Sequence, residues 1–100
     1  MFPKERRSER RYPVQQPARV RLQEGDWREI DMVAWNVSTH GALLECEGPI
    51  PIRSKIEVTL RFPNALPLQA PGEVLRVEQP FSEGPFLIAV RCETSWEFLR

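Results

Sequence analysis

Apolar residues alternate with polar ones along most of this 100-residue chain, which is the pattern of β-strands with one buried face. The clearest run places apolar side chains at every second position from Ile56 to Phe62. Six such runs occur, and most of the ten prolines lie in the turn-like segments between them. The first predicted strand starts near Val14, and the others span residues 27–37, 42–46, 56–62, 68–78 and 86–92. Residues 24–26 predict a hairpin turn between the first two strands.

The second predicted strand carries apolar residues on both of its faces. One face holds Ile30, Met32 and Ala34, and the other holds Val33, Trp35 and Val37. We therefore expect part of this strand to be covered on both sides. In the fifth strand, the pair Pro71-Gly72 indicates a bulge or an edge position.

Six short strands with frequent turns predict an all-β domain, either a sandwich or a six-stranded antiparallel β-barrel. We favour the barrel, because closing the sheet removes exposed strand edges. At the C-terminus, Thr94 and Glu97 have the spacing of a helix capping box, which predicts a short helical turn. The predicted organisation is a flexible basic arm over residues 1–13, a barrel over 14–93 and the start of a helix over 94–100.

The charge of the chain is unevenly distributed, although the 14 basic and 14 acidic residues give a formal net charge of zero. Residues 1–22 hold seven of the basic residues and two of the acidic ones, which gives this part a net charge of +5. Residues 23–100 carry the balancing −5. A basic arm on an acidic body favours a compact anion over a nucleic acid polymer, because the body repels extended DNA.

The composition argues against a metalloprotein, a membrane protein and an enzyme. Cys46 and Cys92 lack metal-ligand spacing and lie in separate apolar runs, which favours buried reduced thiols and a cytoplasmic protein. No segment approaches the roughly 20 apolar residues of a transmembrane helix, and the charged N-terminus lacks the apolar core of a secretory signal. With one histidine and no evident nucleophile–base pair, we expect no catalysis, no metal and no cofactor.

Two short segments carry candidate binding chemistry. Residues 5–11 (ERRSERR) offer guanidinium groups spaced four residues apart, which suit phosphate oxygens and purine edges. Residues 36–41 (NVSTHG) place an amide, a hydroxyl and a glycine in one turn between two predicted strands. The glycine allows a positive φ and a close approach of the backbone. Taken alone, the first segment also fits a solvated charge run and the second an ordinary hairpin turn. Together they indicate a nucleotide-binding module.

In these two motifs and the residues around them, the chain resembles a PilZ domain, the bacterial receptor module for cyclic di-GMP. That family is marked by RxxxR before the barrel and by D/N-x-S-x-x-G on it. Here these motifs stand as Arg7 to Arg11 and as residues 36–41. Arg6 and Arg10 satisfy RxxxR as well, but the register of Arg7 and Arg11 keeps the spacing to Pro13-Val14 and the first strand.

The resemblance implies a ligand site made of Arg6, Arg7 and Arg11 on the arm and of Asn36, Ser38 and Gly41 on the barrel. The arginines, Asn36 and Ser38 would meet the guanine bases and phosphates of cyclic di-GMP, while Gly41 shapes the turn. His40, inside the motif, is expected to be a bystander. The arm is expected to become ordered on binding and so to relay the second-messenger signal.

Several alternatives remain open at this point. The same fold could serve as a protein-interaction adaptor that acts without cyclic di-GMP, or, less favoured by the acidic body, as a small RNA-binding barrel. We also expect a downstream protein partner and no membrane partner, and we expect the protein to be a monomer or a weak dimer.

Overall fold

The barrel predicted from the alternating pattern is present in a computed structural model, which describes residues 10–24 and 26–99. Its strands are β1 (Tyr12–Glu24), β2 (Asp26–Ser38), β3 (Gly41–Cys46), β4 (Lys55–Leu60), β5 (Leu68–Glu78), β6 (Phe86–Cys92) and β7 (Glu97–Phe98). Residues 1–9, most of the predicted arm, lie outside the described residues, as does Gly25 in the predicted hairpin turn.

Antiparallel pairing joins the six longer strands into a closed barrel. The order around it is β1-β2-β3-β6-β5-β4, and β4 returns to β1. Val58 shows the closure, because it pairs with Val20 of β1 on one side and with Ala70 of β5 on the other. Closure gives both sides of each long strand a hydrogen-bonding partner. The predicted all-β, six-stranded antiparallel barrel is therefore confirmed.

The interior is filled by alternate side chains from all six strands. Its largest fully buried members are Leu22, Leu44, Leu60, Ile88, Val20, Val58 and Val74. Cys46 and Cys92 also lie in the interior, and both are free thiols. Removing this apolar surface from water is the main stabilising contribution to the barrel, at roughly 25 cal/mol for each Å² buried.

A bulge in β2 changes which residues face the core. Ala34 pairs with Leu44 of β3, but the next pair is Asn36 with Leu43, so Trp35 is an extra residue on β2. Such a bulge reverses the alternation of side chains beyond it. Asn36 therefore lies on the same side as Leu43, towards the outside of the barrel.

The bulge changes which residues of β2 belong to each of the two faces that the sequence predicted. Val37, predicted to share a face with Val33 and Trp35, instead packs against the core, because the extra residue shifts the alternation. Trp35 remains 37% exposed. Of the second predicted face, therefore, Val37 belongs to the core, while Val33 and Trp35 lie on the outer side of β2.

The pair Pro71-Gly72, predicted to mark a bulge or an edge position, lies where the pairing of β5 with β6 ends, since Pro71 has no partner in β6. The bulge of β5 is at Leu75, because the shift in its pairing with β6 falls between Val74 and Arg76. Pro71 pairs with Glu57 of β4, and its carbonyl accepts a hydrogen bond from the backbone N–H of Glu93, the residue after β6.

The C-terminal segment is extended, and the prediction of a helical turn there is wrong. Glu97–Phe98 forms β7, which pairs with Leu68 and Gln69 at the start of β5. The backbone N–H of Leu99 then donates to the carbonyl of Pro67 at 2.8 Å. Since β6 pairs with β5 only from Gly72 onwards, β7 takes the vacant side of the first residues of β5. A single helical turn is marginal in water and offers fewer hydrogen bonds than this edge. Within the described residues, no helix long and apolar enough to cross a membrane is found.

An ion pair links the start of β4 to the chain after β6. Lys55 Nζ lies 2.9 Å from Glu93 Oε2. The hydrogen bond to this carboxylate, followed by its charge, raises the pKa of Lys55 above its ordinary value. The contribution of this pair to stability is therefore present at neutral pH and is lost as the pH rises through that raised pKa.

Candidate functional site

Arg11 and Asn36 are 25 residues apart in the sequence but are in contact on the outside of the barrel. The guanidinium Nη1 of Arg11 donates a hydrogen bond to Oδ1 of Asn36 at 2.8 Å. Arg11 directly precedes β1, and Asn36 pairs with Pro13 of that strand. The bulge at Trp35 makes the contact possible, since without it Asn36 would share the inward face of Ala34.

The structure describes one member of each overlapping RxxxR register, Arg10 and Arg11. Both are exposed, and Arg11 is the one that contacts Asn36. Their partners in the motif, Arg6 and Arg7, lie outside the described residues.

The polar turn is closed by the pairing of Ser38 with Gly41. Ser38 is only 6% exposed and Gly41 is buried, so both lie beneath the surface that Asn36 occupies. A Cβ on Gly41 would stand 3.0 Å from the carbonyl oxygen of Val90 and 3.3 Å from Oγ of Ser38. The glycine is therefore needed for close packing against β6. The φ angle of Gly41 lies outside the left-handed region, so the positive φ that the sequence allowed does not occur there.

Two hydrogen bonds from the C-terminal part of the chain hold this turn in place. The backbone N–H of Cys92 donates to the carbonyl of His40 at 2.9 Å. The indole Nε1 of Trp96 donates to the carbonyl of Ser38 at 2.8 Å. The turn carbonyls are thus fixed from inside the fold, while the side chain of Asn36 stays on the outer surface.

Comparison with known proteins identifies the family. The family model of the PilZ domain matches residues 5–94, which include both motifs. The chain belongs to the PilZ domain family. Among solved structures, this PilZ domain is similar to the Bacillus subtilis inhibitor of motility MotI/DgrA, with a TM-score of 0.72 and 16% sequence identity. The match covers 93% of this chain and 44% of that one, so the chain spans less than half of that protein. No curated protein sequence matches it.

The family resemblance predicted from the two motifs is thereby confirmed, and the structural likeness shows the same barrel fold. PilZ is a binding and receptor domain and not a catalytic one. In this PilZ domain, no group of three or more His, Cys, Asp or Glu side chains is placed to hold a metal ion among the residues that the structure describes. At the Arg11–Asn36 contact, a guanidinium group lies beside a side-chain amide. Together these two groups can bind an anion and the edge of a base.

Trp96, predicted to lie in a helical turn, instead supports the polar turn of this PilZ domain. The only signal in the sequence for this role is its indole N–H, which usually donates a hydrogen bond when the ring is buried. We expect Trp96→Phe to lower the free energy of unfolding by about 1 kcal/mol, because the hydrogen bond to Ser38 is lost. Urea unfolding measures this, with Trp35→Phe as the control. Equal unfolding midpoints for wild type and Trp96→Phe would show that the indole does not anchor the turn.

Proposed function

We propose that this PilZ domain is a receptor for cyclic di-GMP that binds on the outer face of β2 and β3. The observation that carries the proposal is the 2.8 Å hydrogen bond between Arg11 and Asn36. It joins the arm motif and the barrel motif, which the family uses together, into one surface. The ligand has two phosphodiester charges and two guanine bases, and a guanidinium fork matches the geometry of both groups.

The roles of the site residues follow from their positions. Arg11 supplies a fork for phosphate or guanine, and Asn36 orients it while offering its own amide N–H groups. Arg7, four residues before Arg11, and Arg6 beside it contribute further cations from the arm. Ser38 and Gly41 are buried, so their role is to hold the turn in shape more than to contact the ligand broadly.

Isothermal titration with cyclic di-GMP tests the proposed function. We expect saturable heat at tens of micromolar ligand, and a weaker signal as salt is raised, because part of the attraction is between charges. Absence of heat from folded protein over this range would refute the proposal.

We further propose that the bound ligand orders the Arg-rich arm that precedes β1 and that this ordering is the output signal. Trypsin cleavage after Arg6 and Arg7 reports it. At a ligand concentration ten times the Kd, only about one molecule in eleven is unliganded, so the cleavage rate is expected to fall about tenfold. An unchanged rate with saturated protein would show that the arm does not close on the ligand.

A second candidate is a protein-interaction adaptor that works without cyclic di-GMP. The observation in its favour is the exposure of two aromatic side chains, Phe81 at 75% and Trp35 at 37%. Arg11→Ala separates the two functions. A partner that docks on the aromatic residues tolerates this change, whereas a cyclic di-GMP receptor does not.

A further inference from the structure

An apolar groove lies on the outer face of the barrel, directly beside Asn36. Its volume is about 330 Å³. The lining residues are Trp35, Leu43, Glu45, Pro80, Phe81, Pro85 and Leu87. Trp35 precedes Asn36 in the chain and Leu43 is its pairing partner on β3, so the groove begins about one strand spacing, roughly 5 Å, from the Asn36 backbone.

The apolar character of this groove is local. On the outer face of β1 and its neighbours, Arg19 forms ion pairs with Glu29 and Asp31, and Arg21 pairs with Glu57. By contrast, the groove has an apolar wall with one carboxylate. An exposed apolar surface of this kind, bordered by polar groups, is typical of a binding site.

The loop between β5 and β6 presents Phe81 at the mouth of the groove. The N–H of Gly84 donates to the carbonyl of Phe81 at 2.9 Å, and the side-chain amide of Gln79 donates to the carbonyl of Gly84 at 2.9 Å. These bonds close the loop on itself while the Phe81 ring is 75% exposed. An aromatic ring held in this way offers a stacking surface for a planar group.

Glu45 is the polar group of the groove, and its direction is fixed. Trp35 Nε1 donates to its Oε1 at 2.8 Å. Among the residues that the structure describes, none donates a hydrogen bond to Oε2. The carboxylate can therefore accept further hydrogen bonds. Guanine offers two adjacent donors on its Watson–Crick edge, N1–H and the N2 amino group, whereas adenine presents an acceptor at N1.

We propose that this groove receives one guanine base of the cyclic dinucleotide and that Glu45 selects guanine over adenine. The inference rests on the proposed function, since Arg11 and Asn36 must hold the rest of the ligand. Charge sets the orientation. Glu47 and Glu83 line an adjoining cleft with Glu45 and repel phosphate, so the phosphates lie towards Arg11 and a base lies towards Glu45.

Glu45→Gln tests the selection of guanine, and Glu47→Gln is its matched control. The glutamine carbonyl can still accept the hydrogen bond of Trp35, which turns the amide N–H groups towards the guanine donors. We expect the affinity for cyclic di-GMP, measured by isothermal titration, to fall about tenfold or more, while that for cyclic di-AMP does not fall. Loss of a negative charge alone strengthens the binding of an anion, so Glu47→Gln is not expected to weaken it.

Phe81→Ala tests stacking independently of the carboxylate, and its affinity for cyclic di-GMP is expected to fall between about fivefold and a hundredfold. Urea unfolding of each variant checks that the barrel is intact.

If the wild type does not bind cyclic di-GMP, the proposed function fails and this inference fails with it. If the wild type binds and Glu45→Gln keeps both its affinity and its preference for guanine, only the inference is overturned. The groove would then remain as a docking surface for an apolar and basic segment of a protein.

Discussion

Replacing Arg11 with alanine is expected to weaken the binding of cyclic di-GMP by about a hundredfold or more. A guanidinium fork makes two parallel charge-assisted hydrogen bonds, each worth about 1.5–3 kcal/mol, and alanine makes neither. The hydrogen bond to Asn36, which holds the fork in position, is lost at the same time. Isothermal titration at low and moderate salt measures the effect.

Arg10→Ala is the matched control, because it removes the same charge one residue away. Arg10 is exposed and belongs to the other overlapping RxxxR register. We expect this variant to lose only the weak long-range attraction between its charge and the ligand, about threefold or less. A larger loss from Arg10→Ala than from Arg11→Ala would assign the motif to Arg6 and Arg10. Equal affinities of Arg11→Ala and wild type would remove Arg11 from the site.

Leu44→Ala is expected to lower the free energy of unfolding by about 2–5 kcal/mol. Leu44 is fully buried in β3, where it pairs with Ala34 of β2 and Ile88 of β6. Truncation removes apolar contacts and leaves a cavity that a closed barrel cannot easily collapse, because both neighbouring strands are fixed by their own pairing. Urea unfolding followed by tryptophan fluorescence measures the loss.

Leu43→Ala is the control for Leu44→Ala, since the two leucines are adjacent but point to opposite sides of β3. Leu43 lies on the outer face and lines the groove beside Asn36. Its truncation is expected to cost about 1 kcal/mol or less in stability and to reduce ligand affinity instead. Equal losses of stability in the two variants would contradict the strand register and the position of the bulge.

The strands could be predicted because burial on one face of a barrel strand leaves a period of two in the sequence. The run through Ile56, Val58 and Leu60 is an example, and all three side chains are buried. The bulge at Trp35 leaves no such pattern, because it depends on how β2 pairs with β3. The capping box at Thr94 and Glu97 is a local signal, and it is overridden by the distant edge of β5. Local signals failed where pairing between distant strands decided the structure.

The candidate site was predictable only in part for the same reason. The two motifs were visible in the sequence, and the family resemblance joined them, but the contact between Arg11 and Asn36 depends on the bulge that turns Asn36 outwards. The groove could not be predicted from one segment, since β2, β3, β6 and the loop containing Phe81 all contribute to it. The orientation of Glu45 likewise depends on its hydrogen bond with Trp35 of the neighbouring strand, which no local signal in the sequence indicates.

The central claim is that the face of β2 and β3 next to Arg11 binds cyclic di-GMP. Titration of ¹⁵N-labelled protein, followed by backbone amide shifts, tests it most directly. We expect the largest shifts at Arg11, Asn36, Ser38 and Gly41. No comparable change is expected in β4 (Lys55–Leu60), which lies three strands from β3 in either direction around the barrel. No shift at saturating ligand, or shifts confined to β4 and β5, would contradict the account.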